Sequence, residues 1–461
     1  MDRLPIELLP IELLQEVLTH LDLKTLRNAA LSCRRFFNSF KCAETLITGE
    51  VLLRQIDYDV LPEAILVSKS WNLGKPSVSR EEICEFISNN LELREPAPTK
   101  WDLADALSLM QFHEKVSYLA AQAAHEAFKN EPRLTRESAE PTCAELCRFE
   151  RALYRFQLYC NVLGGLPLTE DEQFDPLSFE FFDYFAPWEN EQLVCIHDHF
   201  VRVVSRPFNY LVEHGITWGY LQVDYIYAFI SDQAQSILAE GIEKIYLLSQ
   251  ASGYMQWHAL LSRGEERNDE PLSLHGFLAC GLEAGANPLI ESWVPLGEMN
   301  EYDYGEVVEP PFYDDPDLGP ETIWHLTYRY EEPGASVANP NMISSRKWAF
   351  PFWDFSRLQA SGLLDPEIIW PMSFGDPELD EYTSIDREEF LDDMRRERTK
   401  IWEAGGYGCQ VKWRIPEKPP RESGMLAQPE SLEEAKDFLR GYPIYTNVKN
   451  RTENYKRLRD W

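Results

Sequence analysis

The sequence predicts a mainly α-helical protein with a short three-helix unit first, a helical array after it, and an irregular, acidic, aromatic-rich C-terminal part. Three observations lead there. Apolar residues at helical spacing dominate the N-terminal half, beginning with Leu13, Leu14, Val17, Leu18 and Leu21 on one stripe of a 3.6-residue repeat. Helix start and stop residues recur through the middle of the chain. From about Arg263 that pattern gives way to prolines, glycines and acids, with no Lys or Arg between Arg267 and Arg329. The segments expected are 1–45, a helical domain at 46–262, and a mixed, loop-rich region at 263–461 packed on that domain. A chain of 461 residues exceeds what a single ordinary core needs.

The elements follow from local chemistry. Two overlapping copies of one motif open the chain, Leu4-Pro5-Ile6-Glu7-Leu8-Leu9 and Leu9-Pro10-Ile11-Glu12-Leu13-Leu14. Only the second frame keeps the apolar stripe, with Pro10 in the first turn where its missing N–H costs nothing; the first puts Glu12 and Glu16 at positions that need apolar groups. Asp22 is suited to cap a second helix through Leu26 and Leu31, and Ser32 a third through Phe36, Phe37 and Phe40. Some forty residues make too small a core to stand alone, so this unit is expected to lean on a partner or on the rest of the chain.

Ser79 with Glu82 and Thr142 with Glu145 have the spacing of capping boxes, and Asp102 can cap a helix reaching about Lys129. Residues 95–99 are too proline-rich for helix and read as a connector, and Gly164-Gly165 ends the helix begun at Thr142. Further helices are expected over 189–204, over 208–213 with Gly215 as the stop, and over 225–249 with interruptions. Order returns near 322–355, followed by a helix over 387–402 and a last short one boxed by Ser431 and Glu434 and stopped by Gly441. No period of 20 to 50 residues is present.

Composition excludes several function classes. Lys plus Arg number 44 against 77 Asp plus Glu, a net charge of -33, and such a surface repels phosphate backbones, so no nucleic-acid partner is expected. No apolar run reaches membrane-spanning length, and the first residues, with Asp2, Pro5 and Pro10, do not read as a secretory signal. Nine cysteines, an odd count without a C-x-x-C pair, read as reduced thiols, which together with the lack of a signal predicts cytosol or nucleus.

The sequence Leu9-Pro10-Ile11-Glu12-Leu13-Leu14, Val17-Leu18, Leu21 and Cys33-Arg34-Arg35-Phe36 resembles the F-box over about Leu9 to Phe40. That resemblance implies a three-helix module docked on the Skp adaptor, which bridges it to a cullin and ring-finger core, with a target held by the C-terminal part. It implies that Leu9, Pro10, Leu14, Val17, Leu18, Leu31, Cys33 and Phe36 face the adaptor. Ser32 stands where Val is usual and Phe36 where Trp is usual; the lost apolar area at Ser32 lowers affinity by about 1 kcal/mol without changing the mode of binding. Arg151-Ala152-Leu153-Tyr154-Arg155-Phe156, Trp188 to Leu193 and Phe352-Trp353-Asp354 resemble segments of uncharacterised F-box proteins of filamentous fungi. The implied function is recruitment of a protein target to a Skp–cullin–F-box ubiquitin ligase; an F-box scaffold acting outside the ligase is the alternative.

Enzymatic readings have little support. His197-Asp198-His199 is the one tight cluster of metal-capable residues, and a second alternative makes it the centre of a helical metal-dependent hydrolase. However, residues two apart on a helix point to different faces, so histidines partly on the surface and partly packed are expected instead. No Walker loop, G-x-G-x-x-G, G-x-S-x-G or H-E-x-x-H is present, so no catalytic residue, metal or cofactor is assigned. Trp348, Phe350, Phe352, Trp353 and Phe355 suit either a buried strand-like core or a groove for a target segment, core being the commoner use of such spacing. Tyr302, Tyr304, Phe312 and Tyr313, set among acids over 298–321, belong to a mobile solvated loop or to an acidic-aromatic surface that catches a basic segment.

Overall fold

The computed structural model describes residues 9–73, 78–91, 100–130, 133, 140–164, 176–226, 232–261, 278, 310–329, 340–365 and 385–410. Among them helix dominates and no strand occurs; the β-type pairing is an isolated antiparallel bridge between Gly215 and Cys409. The predicted mainly α class is the observed one. The connector at 95–99 and the helix expected after Ser431 lie outside the described residues. Two compact units result, each built from separated stretches: 1–203, 229–250 and 266–376 form one, and 204–228, 251–265 and 377–461 the other. This partition cuts across the three consecutive segments expected from texture along the chain.

In the first unit, α1 (Ile11–Thr19), α2 (Leu23–Ser32) and α3 (Arg34–Cys42) meet α4 (Glu44–Gln55). Leu14, Leu18, Leu23, Leu26, Ile47 and Val51 have no exposed surface, and Phe40 almost none. At about 1.5–3 kcal/mol for each fully buried aliphatic side chain, these residues are the main source of cohesion here. The three N-terminal helices do not close this core alone: α4 completes it, and both α2 and α4 also pack on α7 (Leu103–Asn130). Asp22 caps α2 as expected, accepting the Thr25 N–H at 2.8 Å. Ser32 does not cap α3. Its hydroxyl turns back to donate to the Ala29 carbonyl at 2.7 Å, and the residue before α3 is Cys33, extended at φ -154 and ψ 160 with no side-chain cap.

Both expected capping boxes are present, Ser79 with Glu82 at the start of α6 (Arg80–Asn90) and Thr142 with Glu145 at the start of α8 (Cys143–Leu163). Asp102 accepts the Asp105 N–H at 2.8 Å at the head of α7. α8 ends at Gly164, whose N–H donates to the Cys160 carbonyl at 3.0 Å; a Cβ there would lie 2.4 Å from that same oxygen, so the position takes glycine. α8 is packed on nearly all sides, against α5 (Leu61–Ser70), α7 and the 350–352 turn. A helix so enclosed is normally apolar all round, yet α8 carries Arg148, Arg151 and Arg155, all essentially buried. Each is matched by a carboxylate from a distant segment. Arg148 contacts Asp315 and Asp354, both at 2.7 Å; Arg151 contacts Asp315 at 2.7 Å; Arg155 lies 3.4 Å from Glu189 and 3.8 Å from Glu63.

After α9 (Pro176–Phe182), the two helices expected over 189–204 and 208–213 are one, α10 (Pro187–His214), which runs through Pro207. A proline inside a helix forfeits one backbone hydrogen bond and crowds the preceding turn. Burial of Phe208, Leu211 and Val212 just beyond it offsets that cost. The expected interruptions in 225–249 are real: Asn209 holds Ile226 outside any helix through bonds of 2.7 and 2.9 Å, and helices follow at Asp232–Leu238 and Ile242–Gln250.

Trp348, Phe350, Phe352 and Trp353 are wholly buried, so the core reading of this segment holds, but not as a strand. A 3-10 turn, Phe350–Phe352, joins the helices Pro340–Lys347 and Phe355–Ala360, and Pro351 gives the near-alternate spacing that imitates a strand. Phe149 of α8 stacks on Phe352 with ring centroids 4.0 Å apart. In the second unit the helix Ile385–Glu403, expected over 387–402, lies against Ile216–Tyr220. Gly219 allows the close approach, since a Cβ there would meet the Arg398 side chain at 2.5 Å.

Candidate functional site: the N-terminal helices

Pro10, at φ -52 and ψ 153, sets the chain entering α1, and the helix starts at Ile11 in the frame chosen from the apolar stripe. The Arg35 guanidinium donates to the Leu9 carbonyl, tying the Leu-Pro entry to the Cys-Arg-Arg-Phe segment. Thus the two halves of the motif, far apart along the chain, make one structural corner. Asp22 adds rigidity at the other end of α1, its carboxyl held below the usual range by the Thr25 hydroxyl and N–H.

The eight residues implied as adaptor contacts fall into two groups. Leu14 and Leu18 are fully buried within the unit and do not reach its surface. Of the helix-one stripe only Leu14 and Leu18 face fully inward, where α3 and α4 pack on α1, while Leu13 and Val17 stay open. Pro10, Val17 and Leu31 are exposed, and Leu9, Cys33 and Phe36 are half-buried. Leu31 keeps 67% of its surface open, a large figure for a leucine. Three further apolar residues of α1 and α3 stand open: Ile11 at 50%, Leu13 at 51% and Phe37 at 43%. Leu13 belongs to the apolar stripe predicted for α1, whereas Ile11 and Phe37 carry no predicted contact. The available signal is that Ile11 and Phe37 are apolar at positions the core stripe does not require, and open apolar residues on a small unit are candidates for contact with a partner.

The F-box domain family matches residues 6–42. The chain carries an N-terminal F-box. No curated protein and no solved structure matches it. F-box domains bind the Skp adaptor in Skp–cullin–F-box ligases, so the open apolar residues of this F-box lie on a module whose general role is recruitment to ubiquitin ligases.

Outside the F-box, the residues considered for target binding are placed differently from expectation. Tyr302 and Tyr304 lie outside the described residues. Phe312 is buried, its ring 5.4 Å from that of Phe185 and its N–H donating to Glu189 at 2.7 Å. The Tyr313 hydroxyl donates to Asp59 and its ring lies 4.3 Å beneath the Arg151 guanidinium, while burial and the neighbouring Asp59 push its hydroxyl pKa up. Over 310–321, Phe312, Tyr313 and Asp315 are engaged by the rest of the first unit, Asp315 and Tyr313 supplying counter-charge and stacking to the arginines of α8. Trp348, Phe350, Phe352 and Trp353 likewise form core, while Phe355 is half-buried.

His197 and His199 are both buried, correcting the expectation of a partly surface pair. His197 Nε2 lies 3.0 Å from the Gln235 side-chain oxygen. Burial, aided by Arg202, lowers the pKa of His199 to about 3 and keeps it neutral. Among the described residues no three His, Cys, Asp or Glu side chains gather as metal ligands would, and no helix is long and apolar enough to cross a membrane.

Proposed function

We propose that the protein is the target-recruiting subunit of a Skp–cullin–F-box ubiquitin ligase. The carrying observation is the open apolar set Ile11, Leu13, Val17, Leu31 and Phe37 on a unit matched as an F-box. A surface of that kind is suited to the desolvated centre of a protein interface, where a few buried anchors hold most of the binding energy. The half-buried Cys33 and Phe36 and the exposed Pro10 would border it. Leu14 and Leu18 would serve by keeping α1 in place beneath those contacts.

In this reading the chain performs no bond chemistry. It holds a protein target so that the target's lysines meet the charged conjugating enzyme at high effective concentration. The helical units after the F-box supply the target-holding surface, and the compartment is cytosol or nucleus. The test is co-purification of the full chain with the Skp adaptor and cullin. Recovery of adaptor together with neddylated cullin is the expected result. Adaptor without cullin would favour a scaffold acting outside the ligase, and absence of the adaptor would overturn the reading.

A further inference from the structure

We propose that the adaptor surface that receives Leu31 is rimmed by carboxylates, and that Arg27 and Arg34 are the charges of this chain that meet them. The proposal rests on the reading of the F-box as a module that docks on the Skp adaptor, and adds the electrostatic character of the partner at that place. Leu31 is the most exposed of the open apolar residues on α1, α2 and α3. Arg27 stands one turn before it on α2, so the two side chains share one side of the helix. Arg34 follows Leu31 by three residues, at the first position of α3. Both arginines are exposed, and among the described residues neither has a hydrogen bond or an ion pair.

The other cations of the three helices are engaged within the chain. Lys24, three residues before Arg27 on the same helix, is bonded to Glu114 at 2.6 Å; Lys41 pairs with Glu44, and Arg35 donates to the Leu9 carbonyl. The acids of the three helices are committed elsewhere: Asp22 caps α2, Glu16 lies 3.3 Å from His20, and Glu12 stands with Glu16 on α1. Between residues 9 and 42, five Lys and Arg stand against three Asp and Glu, the reverse of a chain whose net charge is -33. A partner that covers Leu31 also comes over the two guanidiniums beside it. An apolar partner surface would strip their water and return nothing, and a basic one would repel them. Carboxylates answer both, because the planar guanidinium fork matches a carboxylate with two parallel hydrogen bonds.

The experiment follows association of the full chain with the Skp adaptor by stopped flow at about 50 and about 500 mM potassium chloride, the higher salt screening exposed charges over a several-fold shorter distance. Arg27→Gln with Arg34→Gln should slow association about tenfold at the lower salt and less than about twofold at the higher. Arg27→Lys with Arg34→Lys, which keeps both charges, should stay within about threefold of the unaltered rate. Lys129→Gln with Lys400→Gln removes the same charge from exposed positions elsewhere and should change the rate less than about twofold. Each single replacement, Arg27→Gln or Arg34→Gln, should slow association about threefold at the lower salt, so the outcome does not hang on the double variant folding. Association as fast in the glutamine variants as in the unaltered chain, slowing of equal size at both salts, or equal slowing by the Lys129 and Lys400 pair would overturn the charge assignment and leave the F-box reading standing. No association of the unaltered chain with the adaptor would overturn both.

Discussion

Replacing Leu13 and Leu31 together by alanine separates docking from folding. Both side chains are already open to solvent, at 51% and 67%, so little packing is lost in the free chain, and its unfolding midpoint should move by no more than about 0.5 kcal/mol in equivalent stability. The loss appears on binding the Skp adaptor. Truncating leucine to alanine removes roughly 2.4 kcal/mol of transferable apolar surface at about 0.8 kcal/mol per methylene, and scaling by the exposed fractions gives about 1.2 and 1.6 kcal/mol. The sum, near 2.8 kcal/mol, is about a hundredfold in Kd. Titration calorimetry of full chain against adaptor measures it, with the melting curve as control. Leu18→Ala supplies the contrast: this residue is wholly buried, so its truncation should cost about 2–5 kcal/mol of folding stability. Unchanged adaptor affinity in the double variant, with the fold intact, would refute the assignment of these two residues to docking.

Other perturbations have equally definite outcomes. Arg346→Ala strands Glu191, which is fully buried and bonded to Arg346 at 2.6 Å and to the Tyr328 hydroxyl at 2.7 Å, and should lower stability by about 3–5 kcal/mol in chemical denaturation. Gly319→Ala would place a Cβ 2.3 Å from the Trp353 carbonyl oxygen and 2.5 Å from the Phe355 nitrogen, and should lower the melting temperature by the equivalent of about 1–3 kcal/mol. Burial, opposed by Arg155 and Arg151, raises the pKa of Glu63 to about 7 from 4.5. Its favourable contribution is therefore full below about pH 4.5 and is lost as pH rises through 7; at about 1.4 kcal/mol per pKa unit, Glu63→Gln should gain on the unaltered protein by up to roughly 3.5 kcal/mol across that window. His113 and His214, lowered by burial to about 4, act in the opposite sense, contributing above pH 6.5 and losing that contribution as pH falls through 4, so the difference between variant and parent is the quantity to measure.

What was legible in the sequence is what depends on neighbours along the chain. The Asp22 cap, the boxes at Ser79 and Thr142 and the frame beginning at Leu9 each involve residues a few positions apart, where local hydrogen bonding decides the outcome. Ser32 failed as a cap because its hydroxyl had a carbonyl of the preceding turn closer at hand. The docking residues were half legible. The leucine stripe of α1 identified one face of a helix, but a stripe alone does not say whether that face meets the unit's own core or a partner; α3 and α4, which cover Leu14 and Leu18, decide it. Pro207 reads as a stop for the same reason in reverse, since the packing of Phe208, Leu211 and Val212 that carries the helix past it is tertiary.

The acidic character of the chain also has a different meaning once the pairs are known. Asp314-Asp315-Pro316-Asp317, in a stretch without one Lys or Arg, has the composition of a solvated loop. Yet Asp315 holds Arg148 and Arg151, and Asp317 accepts N–H groups of Gly319 and Phe355 at 2.8 Å. Arg148 and Arg151 lie one turn apart on α8, and neither could be buried without counter-charge brought from more than 160 residues away. A run of acids without local basic partners can therefore be either surface or counter-charge, and the deciding quantity is the number of arginines placed where a helix must be apolar. In Arg148, Arg151 and Arg155 that signal was present: three arginines at spacings of three and four share one side of an otherwise buried helix. Buried pairs of this kind add little net stability over an apolar core, but each misplacement leaves a charge without a partner, so they select one arrangement of the 310–318 and 352–354 segments on α8 and penalise others.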